Sequence, residues 1–135
     1  MARLIVLDAS VAIAALAGDD VHHRAASAAL ASATDDELVL AATTRAEILV
    51  GPSRVSGQAL RGARAFVDGC ATIPITEPLA DAAAALQATH RALSLPDALA
   101  LSVADLIGAD VVWTFDRRWQ SADVRVSIPT TMIGG

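Results

Sequence analysis

Four large apolar residues, Leu4-Ile5-Val6-Leu7, run without a polar break into Asp8. A run this short and continuous predicts a strand buried on both faces, as in the middle of a parallel sheet. Apolar runs return at Leu38-Val39-Leu40-Ala41, at Ala71 to Ile75 and at Asp110-Val111-Val112-Trp113-Thr114. Pro74 marks its run as an edge strand or a strand end. Val124 to Ile128 reads as a last edge strand. Between these runs the apolar residues fall at helical spacing. Helices are expected over Ala9–Ala17, closed by Gly18, and over Asp20–Ser32, with Val21, Ala25, Ala28 and Leu30 inward and His22, His23 and Arg24 outward. A third starts at Thr43 or Thr44 and stops at Gly51-Pro52, leaving 52–57 as loop. Gln58–Val67 carries Leu60, Ala63 and Val67 as one stripe. Thr76-Glu77-Pro78 opens a helix to about Leu93. Ser94-Leu95-Pro96-Asp97 opens another, with Leu99, Val103, Leu106 and Ile107 at helical spacing and Gly108 at its end. Asp116 begins a short turn through Trp119. Strand and helix alternate throughout, which predicts one three-layer α/β/α domain over residues 1–135, with a mostly parallel central sheet of about five strands.

Composition narrows the chemistry. At 135 residues with 54% hydrophobic and 19% charged positions, the chain can bury a core and is not disordered. Cys70 is the single cysteine, so no intrachain disulfide forms and a reducing compartment is expected, with Cys70 as a small core residue. No stretch is apolar for long enough to span a bilayer, and the N-terminus does not read as a signal peptide. A cytoplasmic protein with no membrane partner is expected. All 10 basic residues are arginine. Without lysine there is no P-loop, and receiver domains and haloacid-dehalogenase-type phosphatases, which also carry an Asp after their first strand, rely on one too. A net charge of −5 argues against nucleic-acid binding by bulk charge but leaves room for a local Arg-lined groove or for acids neutralised by metal.

Four acids fall at comparable places. Asp8 follows the first strand, Glu47 lies one turn into the helix after the second, Asp97 sits in a first helical turn, and Asp116 follows Val111–Thr114. Parallel strands put their carboxyl ends on one edge of the sheet, where ligands bind in open α/β folds. Asp8, Glu47 and Asp116 share that rim, and Asp97 joins them if its helix starts there. Carboxylates gathered this way repel unless a cation lies between them. With Mg²⁺, or Mn²⁺, they form a hard all-oxygen site suited to phosphodiester hydrolysis. Each acid also has a structural reading. Asp8 and Asp116 could be helix caps, Thr44-Arg45-Ala46-Glu47 reads as a capping box, and Ser94-Leu95-Pro96-Asp97 is a variant of one.

The segments Leu4–Ser10, Thr44-Arg45-Ala46-Glu47-Ile48-Leu49, Leu95-Pro96-Asp97-Ala98-Leu99-Ala100 and Thr114-Phe115-Asp116 together resemble a PIN-domain ribonuclease. Within that group the chain resembles the VapC toxins of bacterial toxin–antitoxin pairs. The resemblance runs the length of the chain. It implies a Mg²⁺-dependent endoribonuclease acting on RNA, a cognate antitoxin that blocks it, and a homodimer. It also implies that Asp8 and Asp97 are metal ligands and that Glu47 and Asp116 complete the cluster.

Ser10 and Thr114 lie two residues from a cluster acid and could orient it through their hydroxyls. Arg45, Arg117 and Arg118 could contact RNA phosphates, or pair with nearby acids. His22, His23 and His90 read as surface residues, Asp105 and Asp110 as structural acids at the opposite edge, and Trp113 as core. Trp119 could stack on a base or pack the last helix. The apolar helix around Val11 to Leu16 and the stripe Leu60, Ala63, Val67 could exceed what one domain buries, which would mark an interface. Two other readings stay open: a non-catalytic α/β module that binds RNA or protein, and a metal-dependent DNA nuclease, for which the chain is short.

Overall fold

A computed structural model describes residues 2–122 and 125–129. Its sheet has five strands, all parallel, in the order β3-β2-β1-β4-β5. These are β1 Leu4–Leu7, β2 Glu37–Ala41, β3 Ala71–Ile73, β4 Val111–Trp113 and β5 Val126–Ser127. The opening apolar run is the middle strand, and its side chains divide between two cores. Ile5 and Leu7 pack with Val11, Leu40, Ile48, Val67 and Trp113 on one face. Val6 packs with Val39, Leu101, Val103, Val112 and Trp119 on the other. Three layers follow from that alternation. Val124 of the expected last strand lies outside the described residues.

The helices are α1 Ala9–Leu16, α2 His23–Ser32, α3 Ala42–Val55, α4 Gly57–Asp68, α5 Glu77–Thr89 and α6 Leu95–Ile107. Several expectations are corrected. The Gly51-Pro52 pair does not stop α3, and residues 52–55 are helical. Proline fixes φ near the helical value, so it can begin a last turn at the cost of one hydrogen bond. Ser53 Oγ donates to the Leu49 carbonyl at 2.6 Å in that stretch. The break comes at extended Ser56, whose Oγ accepts from Ala59 N–H at 3.0 Å and caps α4. The third helix starts at Ala42, so neither Thr43 nor Thr44 caps it. Helix α1 ends at Leu16 on extended Ala17, not on Gly18, whereas Gly108 closes α6 in the left-handed region at φ 64°. Helix α5 stops at Thr89 rather than near Leu93, and α2 starts at His23, which leaves Val21 in a turn and 90% exposed. Ala28 and Leu106 also face solvent. Cys70 is only half-buried, packed at the core's edge, with its thiol pushed up to about 11 by burial. No helix among the described residues is long and apolar enough to cross a membrane.

Candidate active site

The site lies where β1 and β4 leave the sheet. Asp8 occupies the N-cap position of α1, but its side chain makes no capping hydrogen bond. Its Oδ2 instead accepts two hydroxyls, Ser10 Oγ and Thr114 Oγ1, each at 2.7 Å. The hydroxyls are themselves fixed. Ser10 Oγ accepts from the Phe115 N–H at 3.2 Å and Thr114 Oγ1 from the Asp116 N–H at 3.0 Å. Thr114 is fully buried. The first turn of α1 and the exit of β4 thus clamp one carboxylate oxygen, and neither hydroxyl takes Oδ1. Burial raises the pKa of Asp8; the hydroxyls lower it in part, and the charge of Asp97 raises it further.

Glu47 lies in the second turn of α3, too deep in the helix for a capping box. Its carboxyl is pushed up by partial burial first, then by the charges of Asp8 and Asp97, although the residue as a whole is exposed. Among the described residues it has no hydrogen-bond partner. Asp97 does close a capping box on α6: its Oδ2 accepts from Ser94 N–H at 3.0 Å, and Ser94 Oγ accepts from Asp97 N–H at 3.2 Å. The cap fixes the carboxylate whose charge reaches the other two.

Asp116 stands apart. It caps a 3-10 turn over Arg117–Ser121, and both its oxygens are taken by the Arg118 guanidinium, which holds the carboxyl below the usual carboxylate range. Arg118 also feels Asp97. Arg45 turns away from the rim to Asp68, at 2.7 Å, and to the Val67 carbonyl. Arg117 is exposed. Asp110 is structural, accepting from Leu4 N–H at 2.7 Å at the opposite edge. Trp113 and Trp119 are both buried, which removes Trp119 as a surface for a base.

Among the described residues no three His, Cys, Asp or Glu side chains are gathered closely enough to hold an ion as they stand. The donor set nevertheless fits a hard divalent cation. All the donors are carboxylate oxygens. Asp8 keeps an oxygen clear of its two hydroxyls, and the Glu47 carboxylate is unpartnered among the described residues. Sequence reasoning missed the Phe115 N–H as part of the clamp. The signal was its place between Thr114 and Asp116.

A model of the PIN domain matches residues 5–125, and the chain belongs to the PIN-domain family. Among solved structures it is similar to Mycobacterium tuberculosis VapC20, described as a sarcin-ricin loop cleaving toxin, with 21% identity and a TM-score of 0.77 over 89% of this chain and 95% of that one. It is also similar to a chain of a toxin-antitoxin complex from Klebsiella pneumoniae, at 22% identity and TM-score 0.78, covering 95% of this chain and 99% of that one. A chain of DNA-bound VapBC from Salmonella typhimurium aligns at 16% identity and TM-score 0.72, covering 96% and 100%. Among curated protein sequences, none matches significantly.

Two predictions follow from the clamp. Thr114→Val removes a buried donor to Asp8 and the acceptor of Asp116 N–H. It should cost about 1–3 kcal/mol in denaturant unfolding, for the backbone donor left unpaired. If Asp8 is a metal ligand, the change should also lower metal affinity about 10–100-fold, the usual loss when a ligand's orienting partner goes. The second concerns pH. A carboxyl whose pKa is higher folded than unfolded costs no stability where both states are protonated. The cost builds as pH rises from the unfolded pKa through the folded one. Metal-free Asp8→Asn should therefore be more stable than wild type at neutral pH. That advantage should vanish below about pH 4, the unperturbed carboxylate range, in thermal melts with chelator. Excess Mg²⁺ should reverse the order. If Asp8 took no part in metal binding, Mg²⁺ would leave the order of the two melts unchanged.

Proposed function

We propose that the chain is a divalent-metal-dependent endoribonuclease acting as the toxin of a toxin–antitoxin pair in the cytoplasm. The observation that carries this is Asp8, clamped on Oδ2 by Ser10 and Thr114 and facing the charges of Glu47 and Asp97. Asp8, Asp97 and Glu47 would hold Mg²⁺, with Mn²⁺ as a substitute. Asp116 would join once released from Arg118. The bound ion would supply acidified water and offset the charge that gathers on a phosphodiester under attack. Ser10 and Thr114 keep Asp8 in one orientation, and the Ser94 box does the same for Asp97. Arg118, freed from Asp116, and Arg117 are the arginines at this edge available to RNA phosphates; Arg45 is held by Asp68.

An antitoxin and a second copy of the chain are the proposed protein partners. An apolar groove of about 330 Å³ supports a protein contact. It is lined by Ile13, Leu16, Ile48, Pro52 and Val55, with Ile13, Leu16 and Val55 exposed. The test of the activity is cleavage of single-stranded RNA with Mg²⁺ or Mn²⁺, against the same reaction in chelator. Cleavage that needs the ion supports the reading, and cleavage that survives EDTA refutes it.

A further inference from the structure

Beside the acidic edge lies a pair of rings to which the metal site gives no task. The His22 imidazole stacks face to face on the Phe115 ring, with centroids 4.2 Å apart and planes within 8° of parallel. The pair sits against the clamp itself. Phe115 stands between Thr114 and Asp116, and its N–H donates to the hydroxyl that holds Asp8. Phe115 is the inner ring, partly buried and packed on the core, while His22 is exposed. The backbone that carries the outer ring is pinned on both sides. Asp20 Oδ1 accepts from the His22 backbone N–H at 2.8 Å, and Nδ1 of the next residue, His23, is 2.8 Å from the Ala14 carbonyl oxygen of α1. Core packing accounts for Phe115 but does not call for a wet, flat ring fixed parallel over it. Single-stranded RNA is gripped through unstacked bases laid on such rings.

We propose that the His22–Phe115 stack is the base platform of this site. An unpaired nucleobase next to the scissile phosphate extends the stack on the outer face of His22 and sets the strand over Asp8, Glu47 and Asp97. This inference rests on the ribonuclease reading. Every base has a π-face, so the platform asks for an unpaired base rather than a particular one.

The test titrates cleavage-dead Asp97→Asn protein with a single-stranded RNA oligonucleotide, and with versions of it in which one abasic nucleotide is stepped along the chain. One abasic position should weaken binding about 5–150-fold, the range for one stacked base. His22→Ala in that background should lose the same factor on intact RNA and lose its sensitivity to that position, and His22→Phe should restore both. If His22→Ala binds like its parent, or weakens intact and abasic RNA alike, the platform is wrong. RNA that does not bind at all overturns the platform. Wild-type protein with Mg²⁺ or Mn²⁺ on intact RNA separates platform from nuclease. Cleavage with no abasic-sensitive position sinks the platform alone. Abasic-sensitive binding without cleavage sinks the nuclease reading, and with it the platform's place beside a scissile phosphate, and leaves a ring that stacks RNA bases.

Discussion

Asp97→Asn should cleave RNA at least about 10³-fold more slowly than wild type while folding as well. An Asn at this position still accepts from Ser94 N–H, and its own N–H still donates to Ser94 Oγ, so the box that starts α6 survives. The helix's buried face, from Ala98 to Ala104, is untouched. What goes is one of the three negative charges that reach one another at the rim. A divalent ion is worth several kcal/mol of transition-state stabilisation, and about 4 kcal/mol is a factor of about 10³. Single-turnover cleavage at saturating Mg²⁺ gives the rate, and a thermal melt in chelator gives the fold. A variant that cleaves like wild type would leave Asp97 with only its cap. One that is inactive because it is unfolded would show it in the melt.

The largest loss of stability should come from Trp119→Ala, about 3–5 kcal/mol in equilibrium denaturation. Trp119 is fully buried and packs on the same core face as Val6, Leu101 and Val112. Its buried indole also anchors the 3-10 turn that Asp116 caps at the edge of the site. The variant should therefore lose activity even under conditions where it remains folded. Trp119→Phe should recover most of the stability. The indole N–H has no partner among the described residues, so a phenyl ring gives up packing volume but removes an unsatisfied donor worth about 1–3 kcal/mol. A Phe variant as unstable as the Ala variant would mean that the indole N–H is in fact hydrogen-bonded.

The parts of this molecule legible in the sequence are those set by local pattern. The unbroken run Leu4–Leu7 could only be a strand buried twice over, and it is the sheet's centre. The Ser94–Asp97 box and Gly108 bound α6 because caps are read within four residues. What was not legible depends on which segments meet. Gly51-Pro52 reads as a stop, but a proline at the head of a last turn is tolerated, and only the hairpin of α3 on α4 shows where the break falls. Val21 and Leu106 fit an inward stripe on spacing alone and face solvent in the fold. Arg45 was near Glu47 in sequence and is drawn off by Asp68, more than a full helix away in the chain. The site divides the same way. Ser10 and Thr114 stood out because each lies two residues from a cluster acid, but only the fold shows that both hydroxyls converge on one oxygen of Asp8, Thr114 crossing to it rather than to its sequence neighbour Asp116. The pairing of Asp116 with Arg118 and the stack of His22 on Phe115 required the folded chain.

The central claim is that Asp8, Glu47 and Asp97 form one divalent-cation site. The most direct measurement is the melting temperature of wild type, Asp8→Asn and Asp97→Asn as Mg²⁺ or Mn²⁺ is added to metal-free protein. Binding to the folded state alone adds about 2.7 kcal/mol at a hundred times Kd. Wild type should therefore melt several degrees higher as metal saturates, and each variant should respond only at much higher metal or not at all. A wild-type melt that stays fixed through the titration, or one that rises equally in both variants, would contradict the site.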